Sequence, residues 1–99
     1  MTAEEYFNAI PKGRKHPLTR PDVPKVDRRL REMIENARRE GRVIINNGQG
    51  YYEVNPQDSV ELAEYALWKD KQYSRVAKIM DAVRAMDQTI AMRDQESLF

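Results

Sequence analysis

Asp27-Arg28-Arg29-Leu30-Arg31-Glu32-Met33-Ile34-Glu35-Asn36-Ala37-Arg38-Arg39-Glu40-Gly41, followed by Arg42-Val43-Ile44-Ile45-Asn46-Asn47-Gly48-Gln49-Gly50-Tyr51-Tyr52-Glu53-Val54, is the stretch that decides the fold. In its first half, Val26, Leu30, Met33, Ile34 and Ala37 fall at i, i+4, i+7, i+8 and i+11, the spacing of one helical face. This predicts an amphipathic helix from Lys25 to Glu40, with Asp27 favourable near its start and Gly41 as its stop. In its second half, Asn47-Gly48 is a strong signal for a two-residue type I′ turn between short strands. With those two residues central, Ile45 faces Gly50, Ile44 faces Tyr51, Val43 faces Tyr52 and Arg42 faces Glu53. Val43, Ile45, Tyr52 and Val54 then form a core face, and the polar tip carries Asn46 opposite Gln49.

Upstream, Tyr6, Phe7 and Ile10 lie at helical spacing, Thr2 and Glu5 form a capping-box pair, and Pro11 ends the segment, so a short helix is expected over residues 2–10. Residues 11–16 form a basic turn with Lys12, Arg14, Lys15 and His16. Between Leu18-Thr19 and Pro24 only about one turn of helix or 3₁₀ structure has room, because Pro21 and Pro24 follow so closely. Downstream, Asn55-Pro56 and Asp58-Ser59 open a long helix with proline in its first turn, expected to run to about Met92. Tyr73, Val76, Met80, Val83 and Ile90 follow 3-4-3 spacing, Asp87 interrupts the seam, and Leu62, Tyr65, Ala66 and Trp68 lead into it. This seam predicts packing on a second chain, as in a homodimer, or folding back onto Tyr6, Phe7 and Ile10. The expected organisation is residues 1–56 as the domain proper, 57–92 as the long helix and 93–99 as a frayed tail in which Leu98 and Phe99 could dock. The class is mainly α with a small β-hairpin, an α+β arrangement.

Composition narrows the function. Ninety-nine residues suit one small domain. With no cysteine, neither a disulfide framework nor a thiolate metal site can form. Thr2-Ala3-Glu4-Glu5 does not read as a signal peptide, and no apolar run approaches membrane-spanning length, so a cytoplasmic protein without membrane contact is expected. Charge is unevenly distributed: up to Arg42 there are eleven basic against seven acidic residues, and from Val43 onward six against nine. Such asymmetry can give a locally positive surface, or only a solvated face of helical ion pairs such as Arg28 with Glu32, Arg31 with Glu35 and Glu35 with Arg39. Three arginines in the first turns, where the macrodipole favours acids, argue for an external anion. His16, the sole histidine, has no acidic partner nearby, and Gly48-Gln49-Gly50 is explained by its turn rather than as a phosphate loop. No enzyme, metal or cofactor is expected.

The order of these pieces resembles a family of small winged helix-turn-helix DNA-binding proteins of bacteriophages and prophages. The resemblance spans Ala3 to about Asp87 and is carried by residues 6–13, Leu18-Thr19, Asp27-Arg28-Arg29-Leu30-Arg31, Arg38-Arg39-Glu40-Gly41, Val43-Ile44-Ile45 and Gly50-Tyr51-Tyr52. It implies a winged helix with a long C-terminal helix that binds double-stranded DNA in transcription regulation or replication control in a bacterial host cell. Arg28, Arg29 and Arg31 would enter or flank the major groove, Asn46, Asn47 and Gln49 would sit on the wing, and Lys12, Arg14, Lys15, Arg38 and Arg39 would meet phosphates. One departure is plain: such proteins place a full helix where residues 20–25 leave space for a single turn. The other expected use is a protein–protein interaction module, in which the long helix binds its own copy or a phage or host protein and the winged fold is scaffold.

Overall fold

The computed structural model describes residues 1–97, in the order α1 (Ala3–Asn8), α2 (Pro24–Arg39), β1 (Ile44–Asn46), β2 (Tyr51–Glu53) and α3 (Ser59–Ser97). It is the expected α+β arrangement of helices with one antiparallel hairpin and a long C-terminal helix. The chain divides into two compact units, Met1–Trp68 and Lys69–Phe99, so the first ten residues of α3 belong to the first unit and the boundary lies beyond the expected one at residue 56. Leu98 and Phe99, assigned above to a tail, lie outside the described residues, and the helix continues past Met92 to Ser97. Among the described residues no helix is long and apolar enough to cross a membrane.

α1 is closed by its capping box: Glu5 N–H donates to Thr2 Oγ1 at 3.1 Å, and Thr2 N–H to Glu5 Oε1 at 3.0 Å. α2 begins one residue earlier than expected. Pro24 occupies its first turn, where a fixed φ and a missing N–H cost nothing. The helical turn expected between Leu18 and Pro24 does not form. Arg20 and Val23 each precede a proline, which disfavours the α conformation, and Leu18 is held extended by mutual backbone hydrogen bonds with Tyr51 at 2.8 Å. At its far end α2 terminates in a Schellman motif, with Gly41 at φ 96°, Gly41 N–H donating to Arg38 O and Arg42 N–H to Ala37 O. α3 starts at Ser59, with Asp58 Oδ1 accepting from Val60 N–H and Glu61 N–H. Pro56 lies in the preceding turn rather than in the helix.

The hairpin pairs Ile44 with Glu53, Ile45 with Tyr52 and Asn46 with Tyr51, two positions away from the expected register. Asn47 keeps negative φ, so no type I′ turn forms; residues 47–50 make a longer loop closed by Asn47 N–H to Gly50 O at 3.3 Å. Asn46 and Asn47 side chains accept from Gly48 and Gln49 N–H, Asx turns that compete with the tight turn. A slip of two residues preserves the alternation, so the division of side chains between faces is as expected, with one difference. Both faces are buried. Ile44 and Tyr51 join Ile10, Leu30, Ile34 and Ala37, flanked by Tyr6, Phe7 and Leu18, while Ile45, Tyr52 and Val54 pack against Tyr65 and Trp68 of α3. Val43, expected in the core, is 38% exposed at the start of the hairpin.

Residues 11–18 run along the outer edge of β2. Glu53 N–H donates to Pro11 O and Gly13 N–H to Glu53 O, with bridges at Lys12 to Glu53 and Leu18 to Tyr51. The basic turn is thereby fixed by backbone pairing at both ends.

Candidate nucleic-acid interface

Two anchors position the expected site. At the start of α2, Arg20 grips Asp27 through both carboxylate oxygens, Nε to Oδ1 at 3.1 Å and Nη2 to Oδ2 at 2.7 Å, and Arg31 Nε approaches the same carboxylate at 3.3 Å. Asp27 is only 7% exposed, and the Arg20 fork holds its carboxyl below the usual range despite burial. Pro21, next to Arg20, is buried. This clamp fixes the irregular segment of residues 19–23 to the first turn of α2. Leu18, two residues before Arg20, is bonded to Tyr51, so the segment that carries the clamp is also fixed to the strand that follows the hairpin loop.

The second anchor is on α3. Glu64 accepts from Arg14 Nε at 2.7 Å, Asn47 Nδ2 at 3.2 Å and the Tyr52 hydroxyl at 3.1 Å. Burial pushes its pKa upward, but these three donors outweigh it and leave the carboxyl below its ordinary value. Burial and the adjacent carboxylate together push the Tyr52 hydroxyl well above its own. One turn earlier, Glu61 accepts from Arg14 N–H at 3.1 Å and Asn55 N–H at 2.8 Å. The basic turn and the loop tip are thus tied to the same two turns of helix.

The expected site residues fall into distinct settings. Arg28 is exposed and makes no ion pair among the described residues. Arg29 lies between Glu32 at 3.4 Å and Glu4 at 3.9 Å, Arg31 pairs with Asp27 rather than Glu35, and Arg39 pairs with Glu35 at 3.5 Å as expected. The expected Arg28–Glu32 pair is replaced by Arg29–Glu32. Arg28, Arg31, Glu32, Glu35, Asn36 and Arg39 line a shallow depression of about 400 Å³ on the solvent face of α2, where the two glutamates break the run of arginines. Lys12, Lys15 and Gln49 are exposed. Arg14 and Asn47 are engaged by Glu64, and Asn46 by Gly48.

Arg38 is set apart from the other expected phosphate contacts. Its Nε donates to Ile44 O at 2.7 Å, and its guanidinium lies 4.7 Å from the Trp68 ring centre, over a ring that stacks with Tyr65. That is a structural role, joining α2, β1 and α3. Arg20, Glu61 and Glu64 carry no local signal in the sequence, because their partners lie 6 to 50 positions away. No protein-family model, curated protein or solved structure matches the chain.

The Arg20 clamp makes a pH prediction. Asp27 has a folded pKa depressed below its unfolded value near 3.9, so its contribution is full above that value and is lost as pH falls through the folded pKa. Arg20→Gln should therefore cost about 1–2 kcal/mol at pH 7, tempered by Arg20's half-exposed side chain, and the gap from wild type should close towards pH 3. Thermal melts of both proteins at the two pH values check this; a gap that persists unchanged at pH 3 refutes the clamp.

Proposed function

We propose that the first unit is a winged-helix module that binds duplex DNA, with the N-terminal turns of α2 as the recognition surface and the hairpin loop as the wing. The observation that carries this reading is that one segment, residues 18–20, holds both the start of α2 and the strand after the hairpin loop, through Arg20–Asp27 and Leu18–Tyr51. Arg28 is the free fork for a guanine edge or a phosphate, and Arg31 needs only to leave an aspartate that Arg20 still neutralises. Lys12, Lys15, Arg29 and Arg39 supply flanking positive charge, and Gln49 projects from the loop. Glu32 and Glu35 oppose a continuous positive strip, which limits the contact to the first turns of the helix.

The double variant Arg28→Ala, Arg31→Ala is expected to weaken duplex binding at least tenfold at low salt and to reduce the slope of log affinity against log salt by about 2. Fluorescence anisotropy with a random duplex, titrated with salt, measures both. Unchanged affinity and slope would remove α2 from the mechanism.

A second reading has its own support. In the second unit Tyr73, Val76, Met80, Val83 and Ile90 are 45–66% exposed, as are Ile79 and Met86 within that range, a density of apolar side chains that fits a protein-interaction helix.

A further inference from the structure

We propose that the helix of the second unit pairs with a second copy of this chain in antiparallel orientation, centred between Asp81 and Ala82. The inference builds on the interaction reading just given and is independent of whether α2 meets DNA. Tyr73, Val76, Met80, Val83, Asp87 and Ile90 alternate as a and d positions, and Ile79 and Met86 widen the stripe on its g side, while the small residues Ala77 and Ala91 occupy e. All of these are exposed, and an isolated helix gains little from propensity alone in water. An apolar partner face of matching length is therefore required.

Charge selects the partner and its direction. Residues 69–78 contain four basic side chains, Lys69, Lys71, Arg75 and Lys78, against Asp70 alone. Residues 79–93 are balanced, Asp81 and Asp87 against Arg84 and Arg93. A parallel in-register pair would lay the two basic halves against each other, and would set the two Asp87 carboxylates opposite one another in the apolar seam. The antiparallel pair sets the basic half of each helix along the balanced residues 79–93 of the other and aligns the macrodipoles favourably. Its layers are Tyr73 with Ile90, Val76 with Asp87 and Met80 with Val83, each occurring twice, with Ile79 beside Met86 along the edge. The two Asp87 positions are then separated by about 16 Å along the axis, at about 1.5 Å per residue. A helix whose reversed copy offers a matching apolar stripe and separates the like charges needs no other protein to cover it.

Light scattering after size exclusion of the full chain at 100 µM should give twice the 11.6 kDa chain mass. Met80→Asp with Val83→Asp, both at exposed positions at the centre of the seam, should return it to the monomer while Trp68 fluorescence, which reports the first unit, is unchanged. Orientation is read by spin-label distances on single cysteines placed in this cysteine-free chain at Ser74 or Thr89. Labels on Ser74→Cys alone should lie about 22 Å or more apart, from the rise of about 1.5 Å per residue. A mixture of Ser74→Cys with Thr89→Cys should show a much shorter cross-distance. A short Ser74→Cys distance overturns the antiparallel arrangement but keeps the helix as an interface. A monomer at 100 µM overturns both and leaves the face to a different protein.

Discussion

Replacing Tyr52 with alanine should lower the stability of the first unit by about 4 kcal/mol, the upper part of the range for truncating a buried aromatic. The ring is fully buried between Ile45 and Val54 and the Tyr65–Trp68 pair, and its hydroxyl supplies one of the three donors on Glu64. The substitution opens a cavity and weakens the anchor of the basic turn and the loop tip together. Tyr52→Phe separates the two effects: it keeps the ring and deletes one hydrogen bond to a charged acceptor, for an expected loss of about 1–2 kcal/mol. Urea titration followed by the fluorescence of Trp68, the sole tryptophan and a member of the same cluster, measures both variants without interference from the second unit. A Tyr52→Ala midpoint within experimental error of wild type would show that the cluster is not the core it is described to be.

Gly50→Ala is expected to cost about 3 kcal/mol through a different mechanism. A Cβ at this position would sit 2.5 Å from the Leu18 carbonyl oxygen and 2.7 Å from its carbon, both backbone atoms that no rotamer change can clear. Leu18 would have to leave β2, breaking its two hydrogen bonds with Tyr51 and freeing the segment that leads to Arg20. Gly48 provides the comparison. At φ 97° but with open space around it, Gly48→Ala should cost only about 1 kcal/mol of backbone strain. The order Gly50 worse than Gly48, read from the same urea midpoints, tests whether close packing rather than turn conformation is the constraint. Equal effects would refute it.

The helices were legible in the sequence because their signals are local. Leu30, Ile34 and Ala37 repeat at helical spacing, Thr2 and Glu5 sit three apart, and Gly41 ends α2 where expected. The hairpin was legible as an element but not in its register. Asn47-Gly48 favours a tight turn on local grounds, yet the position where β2 begins is set by Gly50 passing Leu18, a contact across 32 positions. The same limit hid the burial of the hairpin's other face, since Ile44 and Tyr51 meet Ile10, Leu30, Ile34 and Ala37 only once the helices have packed on the hairpin. Among the candidate site residues, exposure of Arg28, Lys12 and Lys15 followed from their chemistry, whereas Arg38 could not be separated from Arg39. One neighbour points to solvent and the other is committed to Ile44 and Trp68 because of a rotation about the helix axis that the hairpin and α3 determine.

The backbone pairing of residues 11–18 along β2, together with the Arg38 bond to Ile44 O, has a consequence for how the protein behaves in a crowded solution. A two-stranded sheet ordinarily presents two open edges, each a template on which another chain can add a strand and begin to aggregate. Here one edge is occupied by the protein's own N-terminal segment, and on the other, only three residues long, an arginine side chain takes up the outward carbonyl of Ile44. One edge of the small sheet is therefore covered against strand addition, and the other is blunted by Arg38, an arginine that its chemistry alone would have assigned to a phosphate.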